Sequence, residues 1–212
     1  LHAALPIYNL ANFDVEISAP KNFAVWATGI LENPDKVLPK EIKKRFIKAK
    51  TSDVPIAIIK KEDIENGFEA RKNTWHFTAN QVSDFAFALS DHYLWEGARQ
   101  VIDGRDVFIS SVYPNEPGSS FSKLTGIQQK AMKHFSEDFP GIPYPYPSFT
   151  TFIGNGGMEF PMMANNGSPN ASVTLHEMYH TYFPMYVRIN ERRWAWMDEG
   201  WAQMLPFEIQ HR

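Results

Sequence analysis

The sequence predicts an α+β chain in which strands come first, a mixed stretch follows and helices close it. Three observations carry this. Short apolar runs with partial alternation fill the first half. Apolar residues at helical spacing recur over 121–139 and from 170 onward. At 212 residues, with 43% apolar and 14% aromatic side chains, the chain can bury a sizeable core and is not disordered as a whole.

Tyr8 to Pro20 and Phe23 to Glu32 read as strands, from the alternation of Phe13, Val15 and Ile17 and then Phe23, Val25 and Ala27. Pro20-Lys21-Asn22 is the turn between them. Pro39 to Lys50 reads as a short amphipathic helix with Ile42, Phe46, Ile47 and Ala49 on one side. Its six Lys/Arg and one Glu between Lys40 and Lys50 read as a solvated face rather than a recognition face. Val54 to Ile59, Thr74 to Thr78, Phe85 to Leu89, Tyr93 to Val101 and Val107 to Val112 read as strands, with Asp103-Gly104-Arg105 as a hairpin turn. Phe121 to Phe139 reads as a helix capped by Ser122, with Ile127, Ala131, His134 and Phe135 as its stripe. Phe149 to Ile153 and Met158 to Met162 are short strands around Gly154-Asn155-Gly156-Gly157. Asn170 to Tyr182 reads as a helix ending near Pro184, and Arg193 onward as a second helix interrupted or ended at Pro206. The order of elements suggests the end of an all-β module followed by an α+β unit, with the boundary near Thr78 to Asp84. Residues 1–7 resemble translated sequencing adapter and receive little structural weight; the chain reads as an interior piece of a longer protein.

The formal charge is 21 − 24 = −3, which gives no general pull toward nucleic acid or anionic lipid. There is no cysteine, so a disulfide scaffold, a thiolate zinc site and a Cys nucleophile are excluded. The longest uncharged stretch, Phe139 to Met158, is broken by Pro and Gly and is not a membrane span.

The chemistry concentrates at the end of the chain. His176-Glu177-Met178-Tyr179-His180 is an HExxH pattern. Residues four apart on a helix sit about 40° apart around the axis and roughly 6 Å along it, so both imidazoles reach one ion. Glu177 projects beside them, placed to act as a base without being a ligand. Glu199, separated from His180 by 18 residues, completes HExxH-x18-E as the third ligand. Gly156-Gly157-Met158-Glu159-Phe160 lies upstream; on its own the glycine pair reads as a turn. His2, His76, His92, His134 and His211 have no partner spacing and read as structural or exposed. Trp194, Trp196 and Trp201 read as core packing of the second helix in preference to a substrate pocket. Asp198, next to Glu199, is disfavoured as the carboxylate orienting a ligating imidazole.

Taken together, Gly-Gly-Met-Glu-Phe, His-Glu-Met-Tyr-His and the Glu of Trp196-Met197-Asp198-Glu199-Gly200-Trp201 resemble the M1 (gluzincin) zinc aminopeptidases, whose motifs are GxMEN and HExxH-x18-E. Phe183-Pro184-Met185 through Glu191-Arg192-Arg193-Trp194 to Gly200 resembles a bacterial branch of that family. Thr74-Trp75-His76-Phe77, Asp84-Phe85-Ala86-Phe87-Ala88 and Ala27-Thr28-Gly29 resemble its module junction and early strands. The resemblance covers nearly all of the chain from about residue 8 and is strongest over 150–205. It implies the end of an N-terminal β domain followed by the first half of a thermolysin-like catalytic domain, and one Zn2+ ion held by His176, His180 and Glu199. It also implies Glu177 as general base, and Gly156, Gly157, Met158 and Glu159 as the strand that binds the backbone and free amine of a peptide. The activity implied is removal of N-terminal amino acids, in a periplasmic or secreted bacterial setting. Phe160 stands where the family usually carries Asn, and the spacing from Glu159 to His176 is shorter than in better-known members. The family's transition-state Tyr lies further downstream, so Tyr179, Tyr182 and Tyr186 are not assigned that role. The competing readings are a non-catalytic peptide-binding or scaffolding relative and a thermolysin-like endopeptidase; nothing specific supports epoxide hydrolysis.

Overall fold

The computed structural model of the chain describes residues 10–116, 120–190 and 193–210. His2, His211, the 1–7 segment and Glu191-Arg192 fall outside them. Among the described residues, eleven strands run in chain order as β1 (Ala11–Ser18), β2 (Ala24–Ala27), β3 (Ile30–Leu31), β4 (Ile56–Ile59), β5 (Thr74–Val82), β6 (Phe87–Ser90), β7 (Tyr93–Ile102), β8 (Arg105–Pro114), β9 (Ser148–Ile153), β10 (Met158–Phe160) and β11 (Met163–Asn166). The α-helices are α1 (Pro34–Val37), α2 (Lys40–Ala49), α3 (Lys61–Glu65), α4 (Leu124–Glu137), α5 (Ala171–Tyr179) and α6 (Glu199–Gln210). The chain is thus mixed α+β. None of these helices is long and apolar enough to cross a membrane.

A six-stranded sheet in the order β10-β11-β9-β8-β7-β4 organises the molecule. Its centre is the β7–β8 hairpin, turned at Asp103 and Gly104, which both adopt positive φ as an Asp-Gly turn requires. Arg105 is already in β8, opposite Ile102, so the turn is one residue shorter than the sequence suggested. From β8 the chain crosses through α4 to the parallel strand β9. β4, from the stretch read as the first module, pairs with β7 and forms one edge. The opposite edge is β10. The early strands form a three-stranded sheet, β1-β5-β3, and a pair, β2-β6. The single strand expected over 23–32 is therefore two strands in different sheets, divided by the bend at Thr28-Gly29.

Because side chains alternate along a strand, the six-stranded sheet buries both faces. One face carries Trp95, Phe108, Val112 and Phe152 into a core with Trp26, Phe46, Trp75 and Phe77. The other carries Ile109, Phe149 and Ala164 into a core with Phe135, Tyr144, Tyr179 and Tyr182. α2 places Ile42, Phe46 and Ala49 inward. Part of its positive charge is neutralised at the surface, by Lys43–Asp35, Lys44–Glu41 and Arg45–Asp63 contacts of 2.6 to 2.8 Å. α4 seats Leu124, Ala131, Met132 and Phe135 against the sheet. Ser122 does not cap it: the residue lies inside a 3-10 turn, Phe121–Lys123, and no side-chain cap is formed there.

The end of the chain differs most from expectation. α5 is capped by Asn170, whose side chain accepts from the Ser172 N–H at 2.8 Å, but it stops at Tyr179. Thr181–Tyr186 follows as a wider turn broken at Phe183, which is extended (φ −131°, ψ 112°) because Pro184 bars the residue before it from the helical region. The second helix begins at Glu199, after a 3-10 turn over Ala195–Met197, and runs through Pro206 to Gln210.

Candidate metal centre

α5 ends against the β10–β11 edge of the sheet. Asn166 of β11 is fully buried and donates through Nδ2 to Thr174 Oγ1 at 3.1 Å, while Thr174 donates to the Asn170 carbonyl at 3.0 Å. That tie fixes the first turn of the helix two residues before His176. Beyond it, aromatic contacts link three helices. Phe135 meets Tyr179 at 5.2 Å between ring centres, Tyr179 stacks on Phe183 at 5.9 Å, and Phe183 meets Trp201 at 6.1 Å. α6 is thereby held against α5, with Glu199 at its first position.

The result brings the predicted ligands together. His176 Nε2 and His180 Nε2 are 3.1 Å apart. Glu199 Oε2 lies 3.2 Å from the first and 3.9 Å from the second. Glu159, Glu177 and His180 form a second, overlapping group whose ligand atoms lie within 4.8 Å of one another. Glu177 is buried, and its Oε2 has no hydrogen-bond partner. Gly157 lies directly over this carboxylate: a Cβ there would collide with Glu177 Oε1. Gly156, at φ +83°, makes the turn that brings Gly157 in. Met158 is exposed, and Glu159 and Phe160 are half-buried on β10.

The electrostatics follow from burial and crowding. Burial pushes the Glu177 carboxyl up to about 7, and the neighbouring Glu159, Glu199 and Asp198 add to the rise. Burial raises Glu159 as well. His176 is lowered, by burial and then by the charge of His180. Burial alone would lower His180 too, but Asp198 and Glu159 outweigh it and lift the ring to about 9. Two imidazole nitrogens and a carboxylate oxygen thus converge beside an unpartnered buried carboxylate. Such a set fits a divalent ion of zinc's preferences, with the fourth position left to a non-protein group.

Two further groups stand at His180, one of which, the Phe183 carbonyl, the sequence reading does not point to. The break at Phe183 turns its carbonyl back toward His180, whose Nδ1 lies 3.0 Å away. Asp198 Oδ1 stands 2.6 Å from the same nitrogen and is buried. Asp198 therefore stands beside the ring, where the sequence disfavoured it, while the hydrogen bond at Nδ1 goes to the Phe183 carbonyl. The signals were present in Pro184 and in an Asp set between two tryptophans. The tryptophans themselves correct the reading in the other direction. Trp194 and Trp196 are 47% and 61% exposed, because α6 starts only after them and helical spacing never applied. Trp201 alone of the three packs inward, against Phe183. Tyr179 and Tyr182 are buried in the aromatic core, and Tyr186 is exposed. Among the other histidines, His76, His92 and His134 each pair with an aspartate, at 2.8, 2.6 and 2.8 Å.

Neither a known family's sequence profile nor a curated protein matches the chain. Solved structures do. The M1 zinc metallopeptidase from Deinococcus radiodurans is 17% identical with a TM-score of 0.66, over 96% of this chain and 41% of that one. A point mutant of that organism's enzyme bound to a Tyr-Ser-Ala substrate is 16% identical with a TM-score of 0.65, over 96% and 42%. The chain therefore has the fold of part of an M1 zinc metallopeptidase. It spans about 42% of the length of these structures.

Proposed function

We propose that this chain carries the zinc-binding half of a metallopeptidase active site that removes N-terminal amino acids from peptides. Residues 1–82 are read as the end of an N-terminal β domain and 83–212 as the first part of a thermolysin-like catalytic domain. The observation that carries the proposal is the meeting of His176 Nε2, His180 Nε2 and Glu199 Oε2 beside the buried Glu177 carboxylate. These three side chains would hold zinc. When bound, zinc supplies Lewis acidity that polarises a carbonyl and makes water acidic near neutral pH.

The remaining work falls to the chain's own groups. Glu177, raised to about 7 by burial, is poised both to accept the proton of the attacking water and to return it to the departing amine nitrogen. Gly157 leaves open the space in front of that carboxylate, where a side chain would block it. Glu159 lies close to both Glu177 and His180, at the edge of the sheet. A carboxylate fixed there pairs with a free α-ammonium and sets the first peptide bond, rather than an internal one, at the reacting position. The acidic surroundings favour a cationic chain end over a blocked one.

Paired peptide substrates with free and N-acetylated termini, assayed with the intact protein, test this reading. Cleavage should depend on the free amine, and Glu159→Gln should lose most of the distinction. Equal cleavage of blocked and free peptides would replace aminopeptidase by endopeptidase. Stoichiometric zinc without turnover of either substrate would favour a non-catalytic peptide-binding relative.

A further inference from the structure

β11 ends in Asn165-Asn166 and runs into Gly167, and these three residues hold the loop that precedes β10. Gly154 donates its N–H to the Asn166 carbonyl at 3.0 Å. Asn165 donates through Nδ2 to the carbonyls of Asn155 and Gly156, at 3.0 and 3.3 Å. Only the nitrogen of the side-chain amide can face two carbonyls, so Oδ1 turns toward Gly154, where a Cβ would collide with it. Gly167 runs close against the same loop: a Cβ on it would lie 3.1 Å from the Gly156 oxygen and 3.2 Å from its nitrogen.

The loop so held is the one that brings Gly157 against the Glu177 carboxylate and leads into β10, which carries Glu159. Adjacent side chains of a strand leave on opposite sides. Asn165 reaches the loop, while Asn166 reaches Thr174 of α5, two residues before His176. One dipeptide therefore fixes two parts of the candidate centre, the Gly-Gly-Met-Glu segment through Asn165 and the helix of His176 and His180 through Asn166. Asn165 itself is half-buried and belongs to neither candidate ligand group. Without its Nδ2 the turn would rest on the Gly154–Asn166 bond, and its glycines would leave the backbone a wide choice of conformations.

We propose that Asn165 is a positioning residue for peptide binding, whose amide holds the Asn155 and Gly156 carbonyls so that Gly157 and Glu159 stand in place for the substrate's backbone and amine. The proposal rests on the peptidase reading and deepens it. The tie exists before substrate arrives, so its loss is a loss of preorganisation. Substrate and transition state are then bound more weakly by the same factor, which raises KM and leaves kcat in place.

Asn165→Asp and Asn165→Ala in the intact, zinc-loaded protein test the proposal. Aspartate keeps the shape and sets an oxygen against the two carbonyls; alanine removes the donor outright. Hydrogen exchange over 154–160, read by mass spectrometry, should speed up about tenfold in both variants while exchange over α5 holds. With a tripeptide that has a free N-terminus, Leu-Gly-Gly, KM should rise about tenfold while kcat changes by less than about threefold and zinc content stays the same. Turnover by the parent protein is the control: its absence fells the peptidase reading, and the substrate role of Asn165 with it. A parent that turns over beside variants with unchanged KM, or with kcat lost instead, overturns the positioning role alone. Unchanged exchange over 154–160 overturns the tie itself. Loss of zinc, or faster exchange throughout α5, would make Asn165 a general structural support and overturn the proposal as well.

Discussion

The two faces of the six-stranded sheet bury unpartnered groups of opposite chemical sign. On the α5 side, Glu159, Glu177, Asp198 and Glu199 surround two imidazoles, and the unpartnered buried atoms are acceptors, Glu177 Oε2 among them. On the α2 side the unpartnered buried atoms are donors, the indole N–H groups of Trp26, Trp75 and Trp95 among them. Neighbouring residues of one strand serve different faces. Thr150 pairs with Ser110 on the α2 side, while Thr151 accepts from Gln128 of α4 on the other. Strand alternation lets one sheet carry a cluster of carboxylates and imidazoles on one side and an aromatic core on the other. The difference teaches that burial alone does not make a site: the acidic groups converge around two imidazoles, whereas the indoles pack among apolar side chains.

The largest expected effect breaks the acidic face alone. Glu177→Gln removes a base but no ligand, so turnover by the intact protein should fall by about 10²–10⁴-fold while bound zinc stays at one per chain. Zinc analysis alongside kinetics separates the two. A variant that loses its metal would make Glu177 a ligand and redraw the site.

Asp198→Ala comes next in size. Without the carboxylate at 2.6 Å from Nδ1, His180 keeps only the Phe183 carbonyl to orient it. Zinc affinity, measured by chelator competition, should drop about 10–100-fold. Unchanged affinity would assign the orienting role to Phe183 alone.

The pH dependence is gentler and has a definite slope. Asp198 and Glu159 hold the His180 ring up to about 9, so below that pH zinc must displace its proton. His176 is lowered and is the neutral partner. Apparent zinc affinity should therefore rise by about tenfold per pH unit between pH 6 and 8, the mark of one displaced proton. A slope near two would mean that both rings are protonated before zinc arrives.

The acidic face was far more legible in the sequence than the aromatic one. His176, Glu177 and His180 are separated by fixed helical steps, and Asn170 marks where the helix begins, so local geometry alone places three groups of the candidate site. Glu199 needed only a chain long enough to return. What stayed hidden depended on where helices stop. Phe183 and Pro184 end α5 earlier than its apolar pattern does, and α6 starts at Glu199 rather than near Arg193. Trp194 and Trp196 were consequently assigned to a helix face that does not exist. β11 escaped notice because Met163-Ala164-Asn165-Asn166 has no strand alternation; it is held by pairing to β9 and β10. The aromatic core of the α2 face was unreadable for a further reason. Trp26, Phe46, Phe77, Trp95 and Phe108 come from five elements, and no local spacing brings them together.

The smallest expected effect tests whether the two faces are truly separate. The candidate metal centre rests on α5, α6 and the β10–β11 edge, whereas the aromatic core of the other face rests on α2, β2, β5, β7 and β8. The sheet between them is packed on both sides. Zinc affinity of a Trp95→Phe variant should match that of the parent chain within about twofold, which is under 0.5 kcal/mol and within the additivity of independent sites. A tenfold shift in either direction would show that the strands transmit a change on one face to the other.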